Sequence, residues 1–170
     1  MGPIDNLNDL MIEQLRELFD GEAHALRKLK NLAAQAQDAR LKEIVEAYVL
    51  AHDEQIMRLC QVFEKQYTQK RGEISESIEV MTEEALQLME RCTNPLVRDA
   101  AIVNALQHIM HYKIAGYGAA SAYARTLRWW DEAEILHKCL EVEKEFDEKL
   151  GMIARNNLNQ HAVHAEITVK

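Results

Sequence analysis

"CLEVEKEFDEKLGMIA", residues 139–154, carries two patterns at once. Cys139, Leu140, Phe146, Leu150, Ile153 and Ala154 recur at steps of three and four, the period of a helix that buries one face. Glu143 and Asp147 fall on that same face, between Leu140 and Leu150. An unpaired carboxylate in an apolar interior is costly, so a helix that turns two acids inward needs something inside to receive them. The stretch predicts a helix in a bundle whose centre is polar.

Upstream segments repeat the design. A first helix from about Asn6–Asp9 to Gln37 has the stripe Leu15, Leu18, Glu22, Leu26, Leu29 and Ala33. A second, about Ala39 to Tyr67, has Leu41, Val45, Tyr48, His52, Gln55, Leu59 and Val62. "TQKRGE" (68–73) breaks it, and a shorter amphipathic helix from Ile74 to Cys92 follows, with Ile78, Met81, Ala85, Leu88 and Met89 as its apolar side. "TNP" (93–95) ends that piece and puts Pro95 in the first turn of a long helix reaching Arg128. Its stripe reads Ile102, Leu106, Ile109, Lys113, Gly116, Ala120, Tyr123 and Leu127. Trp129–Asp131 read as a tight corner with Asp131 as N-cap, and the last long helix runs from Glu132 to Asn156.

The expected fold is all-α: a ferritin-like four-helix bundle with a fifth, short helix in the crossover between helices two and three, which lets those two run parallel. Residues 1–158 form a single domain, and 159–170 a flexible polar tail. With 6 Gly and 2 Pro in 170 residues, the chain is too poor in turn formers for a many-stranded fold. A formal net charge of -8 argues against nucleic acid as partner, and no apolar run is long enough for a membrane span. The start "MGPIDNLNDLM" has no basic or apolar leader, and Cys60, Cys92 and Cys139 are odd in number with no CxxC. Both features predict a cytoplasmic protein with reduced thiols.

Each long helix interrupts its stripe near the middle: Glu22 on the first, His52 and Gln55 on the second, Lys113 on the third, Glu143 and Asp147 on the fourth. Helices of similar length bring these positions to one level, where carboxylates and imidazole are the donors that divalent metals choose.

Four segments carry a resemblance. "ELFDGEAHAL" (17–26), "RLCQVFEK" (58–65), "HYKIAGYGAASAYA" (111–124) and "ILHKCLEVEKEFDEKL" (135–150) are similar to the YciE/YciF-like family of the ferritin-like superfamily, over roughly residues 8–160. The resemblance implies interior acids at Glu22, Glu143 and Asp147. It also marks departures, with Leu50, Ala51, His52 and Gln55 where the family has Glu-Glu-Thr before His or Gln. In the third helix Met110, His111, Tyr112 and Lys113 stand where many members have Glu-His-Tyr-Glu.

Three arrangements satisfy the layer. In the first it holds no cofactor, and Lys113 neutralises the acids while His52 and Gln55 complete the hydrogen bonds. In the second, Glu22, His52, Glu143 and Asp147 hold one divalent iron, manganese or zinc. In the third it is a di-iron centre with oxidase chemistry, for which two acids are missing. The resemblance implies a stress-associated ferritin-like protein, here expected as a homodimer with a degraded metal site, more a non-enzyme than an enzyme and with no catalytic residue assigned. The alternatives are a di-metal oxidase or peroxide scavenger of rubrerythrin type, and a protein-binding scaffold.

Other residues read as structural. His108 and His111 have metal spacing but no acid or Cys beside them in sequence; His161 and His164 sit in the tail. Met81, Met89 and Met152 read as core, Trp129 and Trp130 as packing at the bundle end, and "GYGAA" (116–120) as a close helix approach.

Overall fold

Three Asx residues start three of the long helices. Asn6 accepts the Asp9 amide at 3.0 Å and opens α1, Leu7–Gln35. Asp38 accepts the amides of Arg40 and Leu41 at 2.9 and 3.1 Å and opens α2, Ala39–Lys65. Asn94 accepts the Leu96 amide at 2.9 Å and, with Pro95 at the first position, opens α4, Pro95–Thr126. Between them lies α3, Glu76–Arg91. The computed structural model describes residues 3–70 and 76–163, without the side chains of residues 25–27. The expected start of the short helix at Ile74 and the tail residue His164 therefore lie outside the described residues, as does the side chain of the stripe position Leu26.

The last long helix, α5, spans Trp130–Ile153, and Asp131 is not its cap. Trp129 occupies that position without a side-chain bond, and Asp131 instead pairs with Lys65 at 2.7 Å, where the end of α2 meets the start of α5. The corner is made by Arg128, whose φ of 62° is left-handed, with the Trp129 amide bonded back to Ala124 O at 2.8 Å. Beyond Ile153 the chain does not loosen at 159. A π-helical turn, Ala154–Leu158, buries Leu158, and one more helical turn, α6, covers Asn159–Val163.

Side-chain bonds at the two ends fix the directions. Asp99, on the first turns of α4, bonds the backbone at the α1–α2 turn, and Asn157 reaches Asp38 at 3.1 Å there too. Lys65 and Asp131 meet at the other end. Hence α2 and α4 run parallel, and α1 and α5 run opposite to them. The packed pairs are α1–α2, α4–α5, α2–α5 and α1–α4, which leaves α2 and α4 diagonal, while α3 crosses back over α1 and α4. Among the described residues there is no strand.

The interior is two apolar cores, not one. At the end beside the α4–α5 corner, Leu15, Leu18, Leu59, Phe63, Tyr117, Ala120 and Leu136 pack together. At the other end Leu29, Leu41, Val45, Tyr48, Ile102, Leu106, Phe146 and Leu150 pack under Ile78 and Met89 of α3. Leu88 points outward at 40% exposure, as does Met152 at 45%, so neither is core. Of the "GYGAA" residues, Gly116 makes the close approach: a Cβ there would lie 2.8 Å from Leu18 Cδ2. Trp130 is 65% exposed, and only Trp129 packs on the end of the bundle.

Asp99 is fully buried, and its two oxygens accept the amides of Gln37 and Asp38 at 2.8 Å each. Asp99→Ala removes a charged acceptor from both amides at a half-buried turn and is expected to lower unfolding free energy by about 1–3 kcal/mol. Asp99→Asn keeps one acceptor and should lose less. Urea denaturation with unchanged m-value measures both.

Candidate functional site

Between the two cores lies a layer of buried polar side chains: Glu22 from α1, His52 and Gln55 from α2, Lys113 from α4 and Glu143 from α5. All are 0–2% exposed. The expected residues Glu22, His52, Gln55, Lys113 and Glu143 do come together.

Lys113 is the hub. Its Nζ stands 2.5 Å from Glu143 Oε1 and 2.9 Å from Glu22 Oε1, with Tyr48 Oη at 3.2 Å and His52 Nε2 at 3.5 Å. Each carboxylate then gathers one phenol and one side chain of α2. Glu143 accepts from Tyr48 Oη at 2.5 Å and from Gln55 Nε2 at 2.7 Å. Glu22 accepts from Tyr117 Oη at 2.6 Å, and its Oε2 touches His52 Nδ1. A hydrogen on Nδ1 leaves the Nε2 lone pair turned toward the ammonium, a tautomer assigned from its neighbours. Gln55 Oε1 finds no partner among the described residues.

Asp147 does not join this layer. Four residues past Glu143, it lies about 6 Å further along α5 and is rotated by about 40°. There it accepts from Gln107 Nε2 at 2.9 Å and stands 3.2 Å from His111 Nε2, with its side chain 24% exposed. His111 thus has an acid beside it after all, contributed by α5, though its side chain is 65% exposed. The residues that sequence reasoning missed are Tyr48 and Tyr117. Both lie on the inward stripe one turn from a polar member, and a phenol buried there needs an acceptor for its hydroxyl.

The electrostatics follow from burial against charge. Burial alone would raise the Glu22 carboxyl, but the Lys113 ammonium and His52 outweigh it and hold it at about 2. Burial alone would lower Lys113, yet Glu143 and Glu22 raise it above the ordinary lysine value. Burial, then the neighbouring carboxylates, push Tyr48 and Tyr117 well above the ordinary phenol range, so both remain hydrogen-bond donors. Burial also pushes the Cys139 thiol up to about 12, consistent with an inert thiol.

As arranged, these donors do not fit a metal at the centre of the layer. Zinc and magnesium sit about 2.0–2.2 Å from carboxylate oxygen. A cation placed between Glu22 Oε1 and Glu143 Oε1 would coincide with the Lys113 ammonium, which both oxygens already face. Among the described residues, no three His, Cys, Asp or Glu converge with metal-holding geometry.

Comparison with known proteins gives a consistent answer. The pattern of a domain of unknown function, DUF892, matches residues 6–163. The chain is similar to Protein YciF of Escherichia coli (strain K12), 32% identical over 157 residues that cover 92% of this chain and 95% of YciF. The solved structure of the E. coli stress protein YciF superposes with a TM-score of 0.88 at 31% identity, covering 92% of this chain and 99% of that one. YcfI from Rhodopseudomonas palustris, for which a structural role has been suggested, superposes with a TM-score of 0.85 at 30% identity, covering 87% and 94%.

The depressed Glu22 makes the layer sensitive to acid. A carboxyl at about 2 when folded and 4.5 when unfolded favours the folded state at neutral pH by on the order of 3 kcal/mol. That contribution is complete above the unfolded value and is lost as pH falls from about 4.5 toward about 2. Glu22→Gln removes the titrating group. Its stability, measured by urea denaturation across this range, should therefore fall less steeply with acid than that of the wild type.

Proposed function

The chain belongs to the DUF892 family, and from that premise we propose that it is a ferritin-like, stress-associated protein that acts as a homodimer without catalysis at its bundle centre. The ferritin-like assignment is supported by the parallel diagonal pair α2 and α4 joined by a crossover, the connectivity of that bundle class. The stress association is supported by the likeness to YciF, itself a stress protein.

One observation carries the reading of the centre: both inward carboxylates of the layer are spent on the Lys113 ammonium, in a layer with almost no exposed surface. Redox or hydrolytic chemistry needs ligand positions open to substrate, and here both carboxylates and the imidazole are committed to other side chains. The work of the protein then falls to its surface and assembly. Val80 and Leu88 on α3, 54% and 40% exposed, and Val97 at the start of α4, 38% exposed, favour a contact there with a second copy. Closed two-fold pairing is the commonest such assembly. Reduced free thiols at Cys60, Cys92 and Cys139 favour the cytoplasm, and the charge of -8 speaks against nucleic acid. No helix of the described residues is long and apolar enough to cross a membrane.

Two measurements test this. Sedimentation at micromolar concentration should give twice the 19.6 kDa chain mass, and a monomer alone would overturn the dimer. Protein exposed to iron(II) and desalted should retain substoichiometric iron and consume peroxide no faster than buffer. Stoichiometric iron with peroxide turnover would establish a rubrerythrin-type enzyme instead.

A further inference from the structure

We infer that Lys113 is the resident cation of this bundle, a tethered ammonium doing the electrostatic work that a divalent metal does in bundles with more interior acids, an assignment that deepens the reading above and rests on it. The count of hydrogens supports it. An ammonium has three donors and no acceptor. Two of them point at Glu143 Oε1 and Glu22 Oε1, at 2.5 and 2.9 Å. The third has Tyr48 Oη at 3.2 Å, an oxygen whose own hydrogen goes to Glu143, and the His52 Nε2 lone pair at 3.5 Å. Around Nζ, four atoms on four different side chains thus present negative charge or a lone pair to one point, as ligands do around a metal.

The arrangement around that point has the order of a coordination shell. Glu22 on α1 takes Tyr117 from α4 and His52 from α2. Glu143 on α5 takes Tyr48 and Gln55 from α2. These outer partners orient the carboxylates toward the centre, the task second-sphere groups perform at metal sites. With Lys113 removed, two carboxylates face each other in a dry interior. With an acid in its place, the charge can be met only by an external cation or by protonation.

Melting temperature with and without EDTA, manganese(II) or zinc(II) tests the assignment in the full-length protein. The wild type should melt at one temperature in all these conditions. Lys113→Met should melt lower by on the order of 10 °C. The double variant Lys113→Met with Glu143→Gln, which removes one charge of each sign, should melt above Lys113→Met alone. Lys113→Glu should gain stability from manganese or zinc and lose it in EDTA.

A wild type that melts lower in EDTA would overturn the inference, because a metal would then hold the layer. So would a Lys113→Met protein as stable as wild type, or a double variant that melts below the single one. Should Lys113→Glu fail to fold even with metal, the single and double variants still decide whether charge or packing is lost. Neither outcome depends on the dimer or on iron turnover, so each can fail without the other.

Discussion

The ammonium of Lys113 held between Glu22 and Glu143 is the contact on which the interior depends. It joins α4 to α1 and α5, and the partners of the two carboxylates bring in α2. All four long helices therefore meet in one connected set of bonds. Apolar packing lies on either side of it, and each core sends one phenol in: Tyr48 from the half beneath α3 and Tyr117 from the half beside the α4–α5 corner. Without the lysine, the bundle would have two hydrophobic halves separated by like charge.

Such a layer adds little net stability over an apolar core of the same volume, because removing charges from water offsets most of their attraction. Its larger effect is on register. Apolar stripes tolerate sliding, since one Leu can take the place of another. A helix displaced by one turn moves its side chains about 5.4 Å along the axis. That shift would set Glu22 or Glu143 against Leu and Phe and leave Lys113 facing nothing. The close approach of Gly116 to Leu18 adds a steric check between α1 and α4.

Helices, crossover and most of the layer were legible because they repeat along a single helix at steps of three and four. Glu22, His52, Gln55, Lys113 and Glu143 interrupt apolar stripes, and such an interruption is visible locally. Asp147 was misread for the same reason. It shares the broad stripe with Glu143, and only the partners on α4, Gln107 and His111, show that it turns aside. Tyr48 counted as apolar in the pattern and Tyr117 was passed over for its neighbour Gly116, and the two hydroxyls matter only when a carboxylate from another helix is in reach. Asp99 could not be read at all, since its acceptors serve backbone amides 61 and 62 residues away. Asp131 looked like a cap by residue type, but the left-handed Arg128 turns the chain earlier and puts the cap at Trp129.

Asp99 has a consequence for how the chain can diverge. By holding the beginning of α4 to the α1–α2 turn, it fixes the point where the crossover must arrive, whatever happens along the way. The crossover has only to span the length of α2, about 40 Å for its 27 residues, which about 12 extended residues could do. Above that minimum, doubling its length adds only about 0.6 kcal/mol of closure entropy. The segment between α2 and α4 is thus the part of this architecture where insertions and deletions are cheapest, provided Ile78 and Met89, or substitutes for them, still cover the core beneath.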